Sequence, residues 1–380
     1  MNSTGVVVVG ASAAGVAAAE AARRAGFEGP ITIIGAEAHP PYTRPALSKA
    51  LLCGDEPAES VHLPMPDQGI EFVSGRAAIG LDIERNRVML SGGDTLEYSG
   101  LVLASGARAR RLRPDGESGE MVLRSLDDAV KLRQAIRGAK SAIVIGGGFV
   151  GAEVASACVE AGVRTTVVSR YAGLVPNLGP DLSDMVTRAA LEAGVTFVQA
   201  PSQFQLTGSD RVTGLVMPDG SQLEADVVVT AIGCRANIEW LSDSGLPLAE
   251  GVVVDEYCRA AANIVAAGDV ARVRGPFALA PRTPFWTAAL DQARIAGESL
   301  ILSDSATPYI PAPFFWTEAF GLSITISGAI PATGSRETLA GDFSSGAGLF
   351  RWRSDEGATV AAVNHRIAVR KLRALAKEGN

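Results

Sequence analysis

Two short, uninterrupted apolar runs, each followed by a glycine turn and a stretch of small residues, dominate the hydrophobic pattern of the chain. The first is Val6–Val9, and the second, at 142–145, comes 136 residues later. Apolar runs bounded by glycine are typical of strands buried on both faces of a parallel sheet. The alanine-rich stretch after each turn predicts a helix, and a second apolar strand follows at 31–34 and at 165–168. Each copy is therefore predicted to form a βαβ unit.

The turn after the first strand has small residues at three matching positions in the two copies. They are Gly10, Ser12 and Gly15 in the first copy, and Gly146, Gly148 and Gly151 in the second. The first position permits a tight turn, the middle one lets the backbone approach a pyrophosphate, and the third lets the helix pack on the strand. The helix N-terminus then faces phosphate with unpaired N–H groups. We therefore expect two bound dinucleotides. The alternative is a duplicated fold in which only one site still binds. Ser12, in place of the middle glycine, slightly narrows the approach of the pyrophosphate to the first turn.

The composition indicates a globular protein of two or three domains in 380 residues. Hydrophobic residues make up 47% and charged residues 20%, which leaves ample material for buried cores. The net charge of −7 argues against a general nucleic-acid binder. No apolar stretch reaches the roughly 18 residues of a membrane-spanning helix, and no basic segment precedes the first strand. We expect a soluble, cytoplasmic monomer or homodimer that binds neither nucleic acid nor membrane.

The cysteines and histidines do not form a redox or metal motif. No cysteine pair has the Cys-x-x-Cys spacing of a dithiol or zinc site, and the three histidines are dispersed. We therefore predict no metal and interpret the cysteines as mostly buried small hydrophobes: Cys53, Cys158, Cys234 and Cys258.

The order of the apolar strands indicates that one dinucleotide-binding domain is inserted in the other. An apolar strand resumes at 227–230, after the second βαβ unit and the turn Pro218-Asp219-Gly220. The predicted division is a first domain of residues 1–111 and 227–302 and a second of 112–226. A proline-rich opening then leads into a C-terminal α+β domain, 303–380, with alternating strand residues and a helix beginning near Arg366.

Four further segments resemble a known family. They are Tyr42-Thr43-Arg44-Pro45-Ala46-Leu47-Ser48-Lys49, Leu103–Gly106, Val253–Arg259 and Ala267–Ala271. Together they resemble the FAD-dependent ferredoxin reductases, which feed electrons to Rieske dioxygenases and cytochromes P450, and the resemblance covers essentially the whole chain. It implies a glutathione-reductase-like α/β fold with two Rossmann-like domains. It also implies electron transfer from NAD(P)H through FAD to a [2Fe-2S] ferredoxin.

The resemblance assigns the first glycine turn to FAD. Glu37 is expected near the adenosine ribose, Arg44 and Lys49 on the flavin side, and Asp269 on the ribityl chain, although Asp269 could instead cap a helix. Two tryptophans are expected near the flavin, or else in the core. The FAD residues so implied are Gly10, Ser12, Ala14, Gly15, Glu37, Arg44, Lys49, Ser105, Gly106, Asp269, Val270, Trp286 and Trp316.

The resemblance also pairs Lys49 with Glu153 beside the flavin. A lysine there would stabilise the negative charge that arrives with the electrons, and a carboxylate would orient it. The alternative is a surface lysine and a glutamate favoured only by the helix dipole.

The second glycine turn is assigned to the nicotinamide coenzyme. NADH-preferring relatives usually carry a glutamate where this chain has Arg170, and a guanidinium suits a 2′-phosphate, so we expect NADPH to be preferred over NADH. Arg170 could equally point into solvent. The residues implied at this site are Gly146, Gly148, Phe149, Val150, Gly151, Ser169, Arg170 and Gly233.

The C-terminal stretch is basic although the protein is acidic. Residues 351–377 hold seven arginines and lysines against Asp355 and Glu356. Four of the basic residues have helical spacing and are predicted to form a stripe that steers an acidic ferredoxin: Arg366, Arg370, Arg373 and Lys377. Val369, Leu372 and Ala376 are expected on another face. A solvated helix face is the alternative.

Other functions are compatible with the same sequence. A second basic run, between Arg108 and Arg113, could meet coenzyme phosphate, ferredoxin or water. The residues after Trp316 depart from the family pattern, which leaves the electron acceptor open. An NAD(P)H oxidase or a quinone or dye reductase, with or without help from the Cys53 thiol, is therefore one alternative. A redox-controlled binding flavoprotein of the apoptosis-inducing-factor type is another.

Overall fold

The computed structural model describes most of the chain, namely residues 5–54, 56–64, 69–114, 119–200, 203–275, 282, 284–355 and 357–378. By their internal contacts the residues divide into two compact units. The first unit comprises Met1–Thr43, Val61–Arg108 and Arg235–Pro311, and the second comprises Arg44–Ser60, Ala109–Cys234 and Ala312–Asn380.

The α-helices of the described residues, in chain order, are α1 (Ala13–Arg24), α2 (Ala50–Cys53), α3 (Leu126–Arg137), α4 (Phe149–Glu160), α5 (Pro180–Glu192), α6 (Trp286–Leu302) and α7 (Val369–Lys377). The strands up to residue 145 are β1 (Val6–Val9), β2 (Ile31–Ile34), β3 (Ile70–Val73), β4 (Ala78–Asp82), β5 (Arg87–Leu90), β6 (Thr95–Glu97), β7 (Gly100–Leu103), β8 (Ala107–Ala109), β9 (Met121–Val122) and β10 (Ser141–Ile145).

The middle strands are β11 (Arg164–Ser169), β12 (Thr196–Gln199), β13 (Gln205–Thr207), β14 (Gly214–Val216), β15 (Gln222–Glu224), β16 (Val227–Thr230), β17 (Cys234–Ala236), β18 (Val252–Val254), β19 (Arg259–Ala261), β20 (Ile264–Ala266) and β21 (Ala271–Val273). The last five are β22 (Phe314–Ala319), β23 (Leu322–Gly328), β24 (Ser335–Asp342), β25 (Ala347–Ser354) and β26 (Gly357–Val363). Across the described ranges, no helix combines the length and the apolar character that crossing a membrane requires.

The first unit is built around a six-stranded sheet in the order β19-β20-β7-β1-β2-β3. β1 lies between β2 and β7 and is parallel to both. Its four valines are each at most 5% exposed, as expected for a strand covered on both faces. The β1–α1–β2 order confirms the first predicted βαβ unit. A separate antiparallel sheet, β4-β5-β6, lies in the same unit.

Small residues let two helices of the first unit approach closely. α1 buries Ala18, Ala19 and Ala22, and α6 faces it with Gly297. A Cβ added to Gly297 would lie 2.3 Å from the carbonyl oxygen of Ala18, which is backbone and cannot rotate away. The alanine-rich composition of α1 is therefore a packing requirement as well as a helix preference.

The second unit repeats the arrangement in a five-stranded sheet, β12-β11-β10-β16-β9. β10 is parallel to β11 and β16, which confirms the second βαβ unit. The sequence placed the strand at 227–230 in the first domain, but it pairs with β10 and belongs to the second unit, whose segment runs to Cys234. β12 is parallel to β11 at the edge of this sheet. An antiparallel sheet, β22-β23-β26-β25-β24, contains the alternating strand residues predicted for the C-terminal part of the chain, among them Ile324 and Ile326 in β23.

The last helix begins later than predicted. We expected a helix from near Arg366, but Ala368 is extended, with φ −67° and ψ 135°, and α7 begins at Val369. Leu372 and Ala376 of α7 are buried against Phe314 and Val360 of the antiparallel sheet. The start of α7 is thus set by packing on the sheet.

The segment 44–60 is fastened to α3 within the second unit by arginine side chains. Arg133 donates to the carbonyl oxygens of Leu51 at 3.3 Å and Glu56 at 2.6 Å. Arg44 donates to the carbonyl oxygen of Arg124 at 2.8 Å. The Arg-Pro-x-Leu-Ser-Lys block therefore has a fixed position relative to the second glycine turn.

Gly297→Ala should destabilise the protein by about 1–3 kcal/mol, because the new methyl group meets backbone, even though alanine favours a helix by about 1 kcal/mol. Urea unfolding monitored by circular dichroism measures the change. Gly138→Ala is the matched control: its φ is −98° and the nearest atom to an added Cβ lies at 4.0 Å, so its free energy of unfolding should change little. Equal effects of the two substitutions would contradict the close α1–α6 contact.

Candidate functional site

The first glycine turn has the geometry that phosphate binding needs. Gly10 has φ +122°, and a Cβ there would lie 2.0 Å from the carbonyl oxygen of Ala104. A Cβ on Gly15 would lie 1.8 Å from the carbonyl oxygen of Gly10. Both positions therefore exclude any side chain. Ser12 is the N-cap of α1, yet its side chain makes no capping hydrogen bond. The first N–H groups of α1 therefore have no side-chain cap, and an acceptor from outside the helix, such as a phosphate, can bind there.

The second turn repeats this geometry, and its middle glycine faces open space. Gly146 has φ +114°, and a Cβ there would lie 2.3 Å from the carbonyl oxygen of Ala231. A Cβ on Gly151 would meet the carbonyl oxygen of Gly146 at 2.0 Å. By contrast, nothing lies within 4 Å of the Cβ position of Gly148, the N-cap of α4. The turn therefore forms a cradle whose open side faces the start of α4, which fits a pyrophosphate.

Several residues assigned to FAD come together in the first unit. Asp269 lies in the turn Gly268–Val270, and a Cβ on Gly268 would lie 3.1 Å from Cβ of Ala14 in α1. The N-cap of this turn is Ala267, so Asp269 is not the N-cap of its own turn. Gln292 fixes the turn by accepting from the N–H of Gly268 at 2.9 Å. The turn that carries Asp269 therefore lies beside the first cradle.

Other residues assigned to FAD are held by specific partners. Glu37 accepts a hydrogen bond from the Tyr42 hydroxyl at 2.5 Å. Ser105 donates to the carbonyl oxygen of Asn237 at 2.9 Å, and Gly106 has φ +65°. Trp286 is the first residue of α6. Arg44, Lys49 and Trp316 belong to the second unit.

Lys49 and Glu153 form a buried ion pair within the second unit. Nζ of Lys49 lies 2.8 Å from Oε1 of Glu153, and their side chains are 12% and 4% exposed. Nζ also donates to the carbonyl oxygen of Pro45 at 3.4 Å. The predicted pairing of the two residues thus exists in the structure, whereas their role at the flavin stays a prediction.

Two hydroxyl groups that the sequence reasoning did not assign complete this pair. Ser48 donates to Oε2 of Glu153, and Thr317 donates to Oε1 at 2.7 Å. Ser48 precedes Lys49 in the Arg-Pro-x-Leu-Ser-Lys block, so adjacency could have suggested it. Thr317 lies 164 residues from Glu153, and no spacing rule connects them.

Arg170, the residue expected to set the coenzyme preference, directly follows β11. Ser169 is 7% exposed, and its Oγ accepts from the N–H of Tyr171 at 3.1 Å. Arg170 is exposed, with its guanidinium carbon 5.7 Å from the Tyr171 ring centroid. Gly233, the last residue assigned to this site, follows β16 and has φ +96°. These residues lie at the carboxyl ends of strands in the parallel sheet that carries the second cradle.

The predicted basic stripe on the last helix is wrong in part. Arg366 precedes α7 and does not share its face. Arg373 is half-buried, with its guanidinium carbon 5.3 Å from the Phe314 ring centroid. Val369, expected on the apolar face, is 44% exposed because it opens the helix. The exposed cations that remain on α7 are Arg370, Lys371 and Lys377.

Other basic residues of the sequence are engaged within the fold. Arg351 is buried and lies 3.5 Å from both Glu337 and Glu378. In the run beginning at Arg108, that residue pairs with Glu239 at 2.6 Å, and Arg111 donates to the carbonyl oxygen of Glu120 at 2.7 Å. Glu356, counted in the C-terminal charge balance, lies outside the described residues. The run near Arg108 is therefore largely structural.

The interpretation of the cysteines as buried hydrophobes holds for two of the four. Cys158 and Cys258 are buried, Cys234 is half-buried and Cys53 is exposed. Cys53 ends α2, and its pKa is raised to about 12 by desolvation and then by the charge and hydrogen bond of Glu160. A thiol that stays protonated is a poor nucleophile. This observation weighs against a thiol-assisted reaction.

Comparison with known proteins agrees with this arrangement of two glycine cradles. Residues 4–293 match the family model described as pyridine nucleotide-disulphide oxidoreductase. The chain belongs to that family. The ferredoxin–NAD(+) reductase component of the 3-phenylpropionate/cinnamic acid dioxygenase of Photorhabdus laumondii subsp. laumondii is 33% identical over 389 residues, covering 99% of this chain and 96% of the relative.

A second relative and a solved structure extend the comparison. The rubredoxin–NAD(+) reductase of Ectopseudomonas oleovorans is 34% identical and covers 86% of each chain. The covalent putidaredoxin reductase–putidaredoxin complex matches with a TM-score of 0.86 at 28% identity, covering 99% of this chain and 93% of that one. The family resemblance and the α/β fold predicted from the sequence are thereby confirmed.

Alkylation of Cys53 should be slow at neutral pH although the residue is exposed. Because only the thiolate reacts, the rate with iodoacetamide should keep rising with pH towards its pKa of about 12. Glu160→Gln removes a charge that raises this pKa, so the rate profile should move to lower pH. Peptide mass spectrometry measures the labelling. Glu192→Gln, an exposed site on α5, should leave the profile unchanged, and fast labelling of the unsubstituted protein at pH 7 would contradict the assignment.

Proposed function

We propose that this protein passes electrons from NAD(P)H through FAD to a [2Fe-2S] ferredoxin that serves a cytochrome P450 or a Rieske oxygenase. The observation that carries the proposal is the combination of two glycine cradles with the buried Lys49–Glu153 pair. The cited relatives are named as reductases of ferredoxin or rubredoxin, and the solved complex contains putidaredoxin. We also propose a cytoplasmic location, as the sequence suggested.

The first cradle fits FAD. Gly10 and Gly15 remove side chains from the turn, and the N-terminus of α1 is left without a side-chain cap. The Asp269 turn lies beside the start of α1 and offers a carboxylate for hydroxyl groups. Bound FAD would supply the capacity to take two electrons from a nicotinamide and release them singly to an iron–sulfur carrier.

The second cradle fits NAD(P)H. Its residues bind and orient the coenzyme: Gly148 leaves room for the pyrophosphate at the N-terminus of α4, and Ser169 and Arg170 flank the expected ribose position. The relatives are named for NAD(+), whereas the charge of Arg170 favours a 2′-phosphate. Preference for NADPH therefore stays part of the proposal.

Lys49 places a positive charge where the resemblance expects the flavin. Its ammonium group has three donors, of which one meets Glu153 and one meets the carbonyl oxygen of Pro45. In a site shielded from water such a fixed charge stabilises developing negative charge strongly, since no solvent has to reorganise. Glu153 keeps the ammonium in place.

The acceptor would be drawn by the exposed cations at the C-terminal end of the chain. Arg366 precedes α7, and Arg370 and Lys377 lie on it, all exposed. Opposite charge speeds encounter between such partners and sets their orientation. The four-residue stripe first predicted is thus replaced by a smaller surface that excludes the half-buried Arg373.

Anaerobic reduction of the purified protein tests the function and the role of Lys49 together. We expect a yellow protein whose flavin absorbance is lost on addition of NADPH or NADH and returns when oxidised ferredoxin is added. Lys49→Met should slow flavin reduction about 100-fold, because a preorganised charge is lost. Lys131→Met, at an exposed site on α3, should leave the rate unchanged.

Three outcomes would contradict these expectations. A protein that takes up no FAD would overturn the function. Electrons that pass to oxygen, quinones or dyes but never to a ferredoxin would favour an oxidase or small-molecule reductase instead. An unchanged stopped-flow rate in Lys49→Met, with FAD still bound, would remove the lysine from the mechanism.

Arg170→Glu should reverse the coenzyme preference. The guanidinium attracts a 2′-phosphate, whereas a carboxylate repels it and accepts hydrogen bonds from a 2′-hydroxyl. We expect kcat/KM for NADPH to fall about 100-fold and that for NADH to hold or rise, which corresponds to roughly 3 kcal/mol of lost charge-assisted contact. Arg188→Glu on α5 serves as the charge-matched control. Equal use of both coenzymes by the unsubstituted protein would defeat the assignment.

A further inference from the structure

We propose that Thr317 and Ser48 are positioning residues that fix the Glu153 carboxylate and, through it, the Lys49 ammonium group. This inference rests on the proposed function for its kinetic consequence, although the contacts themselves lie within the second unit.

The three donors occupy both oxygens of one buried carboxylate. Oε1 of Glu153 accepts from Thr317 at 2.7 Å and pairs with Nζ of Lys49 at 2.8 Å, while Oε2 accepts from Ser48. Turning the carboxylate about its last bond would break contacts on both oxygens at once. With a single partner, the same group could swing and carry the lysine with it. The two hydroxyl groups therefore determine where the ammonium group points.

The donors come from segments that are far apart in the sequence. Ser48 and Lys49 precede α2, Glu153 lies in the second turn of α4, and Thr317 lies in the middle of β22. Thr317 is 3% exposed, so its hydroxyl hydrogen bond is shielded from water. Such a bond to a charged group contributes more than a surface contact does.

β22 is held against α4 on both sides of Thr317. On one side, Phe315 contacts the Phe149 ring edge-on at 5.2 Å between centroids. On the other, the N–H of Phe320 donates to Ser156 at 2.7 Å. Because side chains alternate along a strand, the neighbouring Trp316 takes the opposite face, where it packs with the α7 cluster. The C-terminal sheet thus holds Thr317 of β22 against α4, the helix that carries Glu153.

A purely structural role for Thr317 makes a different prediction. Loss of its hydroxyl would then lower the free energy of unfolding and leave the properties of Lys49 unchanged. Ser156 offers that comparison, since its buried hydroxyl on α4 donates to Glu160 and accepts from the N–H of Phe320, just after β22. A change confined to Lys49 and to the electron-transfer rate distinguishes positioning from stability.

The test compares Thr317→Val, Thr317→Ser and Ser48→Ala with two controls, Ser156→Ala and the exposed Ser323→Ala on β23. The first readout is independent of turnover: the acetylation rate of Lys49 by acetic anhydride, followed by mass spectrometry with the exposed Lys371 as internal reference. The second is the limiting rate of anaerobic flavin reduction, separated from the coenzyme dissociation constant.

We expect Thr317→Val to raise the relative labelling of Lys49 several-fold. We also expect it to lower the limiting rate about tenfold at an unchanged coenzyme dissociation constant, as loss of one hydrogen bond to a charged group implies. Thr317→Ser keeps a hydroxyl donor and should restore both values. Ser48→Ala should act in the same direction, because it frees the second carboxylate oxygen. The two controls should leave Lys49 labelling unchanged.

Two results would overturn the inference: Thr317→Ser behaving like Thr317→Val, or Thr317→Val changing only the unfolding midpoint, as Ser156→Ala should. The proposed function fails separately. If NAD(P)H does not reduce the flavin of the unsubstituted protein, the reductase proposal falls, while Lys49 labelling still decides whether Thr317 positions the pair.

Discussion

The contact between a glycine Cα and a neighbouring strand carbonyl is the constraint on which both dinucleotide sites depend. In the first unit Gly10 lies against Ala104, and in the second Gly146 lies against Ala231, so close that a methyl group would overlap the backbone. This approach allows the chain to leave the strand, turn sharply and begin a helix with its N-terminus facing the turn. A second close contact, Gly15 against Gly10 and Gly151 against Gly146, keeps the helix on the strand. Without these contacts neither helix N-terminus would face the cradle.

The chemistry proposed for the protein depends on a second constraint, the satisfaction of a buried carboxylate. Glu153 is 4% exposed, and burying a charge is costly unless partners replace the lost water. Here the partners are an ammonium and two hydroxyl groups. The same contacts that make the burial of Glu153 tolerable also leave the lysine little freedom. In this cluster, therefore, stability and preorganisation have a common origin.

The sequence was sufficient for elements whose pattern is local. The bounds of β1, β2 and β16 were predicted correctly because each is an uninterrupted apolar run ended by a turn, whereas the unit to which β16 belongs was not, since it depends on strand pairing. The beginning of α7 was misplaced because Arg366 has helical spacing to Arg370 and the basic residues after it, while the backbone at Ala368 is extended.

The candidate site shows the same difference between features set by local sequence and features set by packing. The glycine cradles could be predicted because their residues are close in sequence and their roles are backbone roles. The Lys49–Glu153 pair required the resemblance to a family, and Thr317 could not be found at all. A threonine on a strand and a glutamate on a helix carry no shared periodicity, so only the folded chain brings them together. Arg351 and Arg373 show the converse. Their charges suggested exposed side chains, but Arg351 is buried beside Glu337 and Arg373 packs on the Phe314 ring.

The way in which the chain alternates between the two units has a consequence for its synthesis and for its engineering. Each unit consists of three separate segments, and the backbone passes from one to the other five times. The first unit lacks its last segment until residue 311 has left the ribosome, and the second is incomplete until the C-terminal sheet follows. Neither can be excised as one continuous piece of gene. Recombination between homologous reductases should therefore succeed when crossover points are chosen at these passages together, and should fail when a single cut exchanges one half of the sequence.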